Sequence, residues 1–126
     1  MFRPIVTALL ASMLLSLAAC ATRGHADARF VFVYLKTGPS SAANTPAQKQ
    51  EIFKGHMANM KRLADERTLI IAGPYAKPAD PTWRGLFIFD TPSVDEARTF
   101  VATDPGVVAG EFVAECIPLR ATSRLR

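Results

Sequence analysis

From position 28 to 36 the chain reads ARFVFVYLK, aromatic or β-branched at most positions, which predicts a strand. A loop of small residues and turn formers, TGPSSAAN, follows; it is longer than most connections in a compact domain and is a candidate binding loop. The pattern then changes to a helical one. Thr45 suits the N-cap, Pro46 the first turn, and Gln48 the reciprocal partner of a capping box. Ile52, Phe53, Met57, Met60, Leu63 and Ala64 recur at helical spacing, while Glu51, Lys54, Ala58, Arg62 and Asp65 share the opposite, mostly charged side. TLIIAGPY predicts a second strand over 68–72, halted by Gly73 and Pro74. A proline-rich loop leads to RGLFIFD, a third strand over 84–89. Ser93 and Glu96 form a second capping box, and Val94, Ala97, Phe100 and Val101 give a second amphipathic helix. Pro105 should end that helix near Asp104. EFVAECIPL supplies a last strand over 111–118.

Strand, helix, strand, strand, helix, strand is the order of an α+β ferredoxin-like domain, a four-stranded antiparallel sheet with both helices on one face. FVFVYL, LII and LFIF are apolar at successive positions rather than alternating, as in strands buried on both faces. One such domain covers only one face of its sheet. The other would be a large apolar patch, so two sheets packed face to face in a homodimer are expected.

The first twenty residues carry no such pattern. Arg3 precedes an apolar stretch from Ile5 to Leu17, small residues follow, and then Cys20: the layout of a secretory signal, to be excluded from fold reasoning. Leu17-Ala18-Ala19-Cys20 resembles the lipobox of bacterial lipoproteins, which implies cleavage before Cys20 and its lipidation; the alternative is an ordinary signal peptide cut after Ala19. Ala21 is not the aspartate that favours inner-membrane retention in lipoproteins, so the expected location is the outer membrane, facing the periplasm through a lipid anchor. The domain plan is then a signal peptide over 1–19, a lipidated tether over 20–28 containing a solvated His25, one folded domain over 29–120 and a basic tail over 121–126.

Charge and cysteine count add limits. The chain is basic, +4 over 126 residues, with Arg120, Arg124 and Arg126 crowding its end. Nucleic acid is not an expected partner of an exported protein, and these arginines read as a solvated tail. Only Cys116 remains as a thiol, so no internal disulfide is available, and its place in a strand marks it as a small core residue rather than a nucleophile.

Within FKGHMANM, His56 points between Met60 and Leu63, near the centre of the apolar face of the first helix. An imidazole can take up and return a proton near pH 7, but a core histidine satisfied by a backbone carbonyl fits the same spacing. Asp104, in DPGVVAG, can be a plain helix-stop residue. In a ferredoxin-like fold it can also reach the first helix and pair with a histidine, fixing its tautomer for general base work. Gly73 and Pro74 can let a ligand approach the backbone, Arg84 and Trp83 can line a pocket entrance, and Tyr34 and Tyr75 can donate to a bound oxygen. His56 has no second histidine or cysteine at ligand spacing, so no metal is expected, and glycine-rich phosphate loops and G-x-S-x-G motifs are missing from the sequence.

FKGHMANMKRLADERTLIIAGPY and RGLFIFDTPSVDEARTFVATDPGVVAGEFVAECIPLR together resemble the YCII-related family of small domains, over Phe30 to Arg120. The likeness rests on His56 with its helix and Ala72-Gly73-Pro74, on Ser93-Val94-Asp95-Glu96-Ala97, and on Asp104-Pro105 with Gly110. It implies a ferredoxin-like domain that dimerises into an α/β barrel, with a histidine–aspartate site at His56 and Asp104. The wider fold group includes cofactor-free isomerases, lyases and monooxygenases acting on small molecules. The long first loop and the lipid anchor depart from the family, so a substrate cannot be carried over. Three readings result. The first is a cofactor-free acid–base enzyme of isomerase or lyase type acting on a small organic molecule. The second is a non-catalytic small-ligand binding module. The third is a structural dimer in which His56 is a core group.

Overall fold

The computed structural model describes residues 28–121; the expected signal peptide, Cys20, His25 and the tail with Arg124 and Arg126 lie outside them. The chain forms β1 (Ala28–Thr37), α1 (Pro46–Asp65), β2 (Leu69–Pro74), β3 (Trp83–Phe89), α2 (Val94–Val101), α3 (Pro105–Val108) and β4 (Phe112–Ala121). The four strands lie in the order β2-β3-β1-β4, all neighbours antiparallel, which is the ferredoxin-like α+β arrangement.

Alternation along the strands divides the side chains between two faces. Val31, Val33 and Leu35 of β1 join Phe87 and Phe89 of β3, Leu69 of β2 and Phe112 of β4 under the helices, where Leu63, Ala97 and Val101 complete the core. Tyr34 and Phe32 of β1 project from the opposite face, as do Val113, Ile117 and Leu119 of β4 and Ile71 of β2. There Ile71 is 52% exposed and Val113 47%, so the second sheet face is mostly apolar, apart from the Lys36–Glu115 ion pair, and uncovered in the single chain.

Helix ends follow their punctuation, with one exception. At α1 the capping box is complete: Gln48 N–H donates to Thr45 Oγ1 and Thr45 N–H to Gln48 Oε1. At α2 only half of the expected box forms. Glu96 N–H reaches Ser93 Oγ, but the Glu96 carboxylate is taken instead by the hydroxyl of Thr91, which also accepts from Ser93 N–H.

Three boundaries differ from expectation. β2 continues through Gly73 and Pro74, and β4 runs through Pro118 to Ala121. Both are edge strands, where a proline's missing N–H need break no ladder bond. After α2 the chain does not simply turn; Pro105 opens the extra helix α3, with Asp104 as its N-cap.

Candidate active site

His56 and Asp104 come from segments 48 residues apart, and α1 and α3 bring them together. His56 Nδ1 lies 2.7 Å from Asp104 Oδ2, with the two residues 7% and 1% exposed. The second oxygen of Asp104, Oδ1, accepts from Gly106 N–H at 2.7 Å, which caps α3. The carboxylate is therefore held at both oxygens. Gly106 permits this: a Cβ there would lie 2.4 Å from the Phe112 ring and 2.9 Å from Asp104 Oδ1. A second tie fixes the same junction, because Asn59 Oδ1 on α1 accepts from Thr103 Oγ1, the neighbour of Asp104, and from Arg62 Nη2.

A carboxylate oxygen facing Nδ1 is an acceptor, so hydrogen-bond logic assigns the proton to Nδ1 and the lone pair to Nε2. Nε2 has no hydrogen-bond partner among the described residues, and it is not one of the buried unpartnered side-chain atoms there, which are Asn59 Nδ2 and Tyr75 Oη. His56 lines a cavity of about 190 Å³ between α1 and the sheet. Pockets for drug-sized ligands run to roughly 300–1,000 Å³, so this one suits a single small molecule. Phe87 and Phe112 flank the imidazole, with ring centroids 5.8 and 5.2 Å away, and Phe53 lies 6.1 Å off.

Phe53 and Met57, expected on the apolar stripe of α1, are not in the core. They are 58% and 47% exposed. α1 turns His56, Asn59 and Leu63 inward, which leaves Phe53 and Met57 along the rim of the cavity. Helical periodicity places a side chain on a face but does not say whether a neighbour or a void lies beneath it.

Gly73, Pro74 and Arg84 all line the cavity. Arg84 does so through a register shift. Lys36 pairs with Trp83 and Leu35 with Gly85, so Arg84 is an extra residue between them, and the bulge turns its side chain to the helix face beside Gly85. Tyr34 is not brought to the cavity. Its neighbours Val33 and Leu35 face the helices, so strand alternation sends it to the other side, against Phe32 at 4.6 Å and Trp83 at 5.8 Å. Tyr75 joins that aromatic group, 6.0 Å from Trp83, and burial pushes its hydroxyl upward in pKa. Cys116 is half-buried in β4, with its thiol pushed up by burial. No group of three or more His, Cys, Asp or Glu among the described residues is placed to hold a metal ion.

One polar cluster had no signature in the sequence. Glu111, 4% exposed, accepts from Ser41 Oγ at 2.9 Å and Asn44 Nδ2 at 2.8 Å, and Arg84 Nη1 lies 3.4 Å away. Burial alone would raise its carboxyl. Hydrogen bonds from Asn44 and Ser41, with the charges of Lys49 and Arg84, outweigh that and hold it below the ordinary carboxylate value. The long first loop reaches Glu111 because Gly38 and Gly110 pack backbone to backbone: a Cβ on Gly38 would lie 2.2 Å from Gly110 O, and Gly110 adopts φ +67°.

The chain belongs to the YCII-related domain family, which matches residues 29–119. Among solved structures it is similar to a 5-chloro-2-hydroxyhydroquinone dehydrochlorinase from Burkholderia phenoliruptrix, determined in complex with 2,5-dihydroxybenzoquinone. That likeness has a TM-score of 0.50 and 23% identity over 72% of this chain and 91% of that one. It is also similar to a dimeric protein of unknown function and ferredoxin-like fold from Bacteroides fragilis, with a TM-score of 0.45 and 13% identity over 74% of this chain and 96% of that one. The first likeness supports the fold; neither carries a function across at these identities. No curated protein matches the sequence.

Proposed function

We propose that this YCII-related domain transfers protons on a small organic molecule, with His56 as general acid–base and Asp104 as the carboxylate that orients it. One observation carries the reading: a buried, doubly anchored carboxylate 2.7 Å from Nδ1 of an imidazole that lines a largely apolar cavity. Such a pair holds one tautomer, keeps the Nε2 lone pair available, and stabilises the imidazolium formed when Nε2 takes a proton. In an isomerisation, Nε2 removes a proton from carbon and returns it at a second position. In an elimination, it removes the proton while a leaving group departs with the bonding electrons. Neither step calls on a cofactor.

The working unit in this reading is a homodimer, since an uncovered apolar sheet face is best buried against its own copy. Cys20 would anchor it by lipidation to the outer membrane, on the periplasmic side, as the LAAC segment suggests. Replacing Cys20 by Ala should release the protein from the membrane fraction; unchanged membrane association would refute the anchor.

Exchange of carbon-bound hydrogen for deuterium in D2O tests the chemistry without knowledge of the product. Cyclic 1,3-diketones and 2,5-dihydroxybenzoquinone, the compound bound by the Burkholderia enzyme, are suitable first probes. Exchange catalysed by the wild type and lost in folded His56→Ala supports the reading. Binding at His56 without exchange of any probe would instead leave a binding module. Exchange that persists in His56→Ala removes His56 from the chemistry.

A further inference from the structure

The cavity lining holds two side chains capable of carrying charge, His56 and Arg84; the rest is aliphatic, thioether, aromatic, proline or glycine. The Arg84 guanidinium is part-exposed and has one carboxylate partner, Glu111. Glu111 does not fully occupy it. That carboxylate is already satisfied by Ser41 and Asn44, and its contact with Arg84 is a single 3.4 Å approach through Nη1. The remaining guanidinium nitrogens make no hydrogen bond among the described residues, and the side chain is 40% exposed. Its carbon lies 5.1 Å from the centre of the Phe112 ring, the ring that stands 5.2 Å from His56 on its own account. Phe112 thus spaces the cation from the base, a cation–π contact on one side and an aromatic contact on the other. The β-bulge aims Arg84 inward, and the Ser41–Asn44–Glu111 cluster fixes where it stops.

We propose that Arg84 is the specificity-determining residue of this pocket, and that the ligand is a compact, largely apolar molecule bearing one oxyanion, either a carboxylate or an ionised phenol or enol. The oxyanion takes the unused donors of Arg84 while the apolar body lies against Phe112 and Phe87 beside His56. A planar fork suits both kinds of oxyanion. The assignment rests on the pocket being the functional site proposed above, and it adds the charge and class of what enters.

Two matched pairs of probes test it: benzoate against methyl benzoate, and ionised 4-nitrophenol against 4-nitroanisole. The imidazole resonances of His56 and the amides of Phe112 and Gly85 report binding by NMR titration of the folded protein. The anion of at least one pair should bind the wild type about tenfold tighter than its neutral partner, the scale of one charge-assisted hydrogen bond at a part-exposed cation. Which pair shows it separates carboxylate from phenolate or enolate recognition. Arg84→Met should abolish that preference while leaving the neutral probes unaffected. Should Arg84→Met not fold, Arg84→Lys decides: the preference should shrink, since charge remains but the fork is lost, and an unchanged preference overturns the proposal. Equal binding of anion and neutral partner, with His56 still responding, refutes the oxyanion assignment and leaves the pocket standing. Failure of His56 to respond to any probe overturns both this inference and the functional site beneath it.

Discussion

Replacing Asp104 separates the role of its shape from the role of its acceptor chemistry. The side chain is 1% exposed and accepts two hydrogen bonds, from Gly106 N–H and from His56 Nδ1, each at 2.7 Å. Asp104→Ala leaves both donors buried without partners and removes the cap of α3. At about 1–3 kcal/mol for each of the two stranded donors, the loss should be roughly 2–6 kcal/mol, a large share of the stability of a small domain. Asp104→Asn has a different consequence. Asparagine caps helices about as well as aspartate, so its oxygen keeps Gly106, and its amide turns towards His56. That amide is a donor, so the imidazole must present a lone pair at Nδ1 and carry its proton on Nε2. The cost to stability should be about 1 kcal/mol or less, while proton transfer at Nε2 should be lost. Urea unfolding of the three proteins, with equal slopes, gives the stability differences. Equal destabilisation by Ala and Asn, or a cost of Asp104→Ala below about 1 kcal/mol, would refute the argument, because the doubly held carboxylate would then contribute nothing through its hydrogen bonds.

Other parts of the fold make further predictions. The Glu111 carboxyl is held below its ordinary value of 4.5, so its contribution is complete above that pH and disappears as pH falls through the folded-state value; Glu111→Gln should flatten this acid limb of the stability curve, and an unchanged limb would count against the cluster. The Cys116 thiol is pushed above 9.0 by burial, so alkylation at mildly alkaline pH should be far slower than for a free cysteine in the unfolded chain, and equal rates would contradict its placement. On the uncovered sheet face, Ile117→Glu should convert the expected homodimer to a folded monomer by light scattering; a persisting dimer would move the interface elsewhere.

Much of the scaffold was legible because local signals and the global fold agree. Thr45, Pro46 and Gln48 start α1 as their chemistry requires, and β1 is a continuous apolar run because both its faces carry hydrophobic side chains. His56 was readable as the centre of the apolar stripe, but the stripe could not show that Phe53 and Met57 would rim a cavity rather than enter the core. Pro74 and Pro118 look like strand ends until the strand order makes β2 and β4 the edges. Tyr34 and Arg84 differ by a rule that needs partners: alternation alone decides Tyr34, whereas Arg84 turns inward only through a bulge against β1. Glu111 was illegible for a related reason. Its partners Ser41 and Asn44 lie 70 and 67 residues away, across α1, β2, β3, α2 and α3, and nothing local marks a carboxylate that will be buried at a strand start.

On this geometry Asp104 holds His56 with its proton on Nδ1 and its lone pair on Nε2. The 15N chemical shifts of the two ring nitrogens, measured in the neutral form of the wild type and of Asp104→Asn, test it most directly. A protonated-type signal at Nδ1 and an acceptor-type signal at Nε2 are expected in the wild type, exchanged in the variant. An Nε2–H tautomer in the wild type, or signals that ignore the Asp104 substitution, would contradict it.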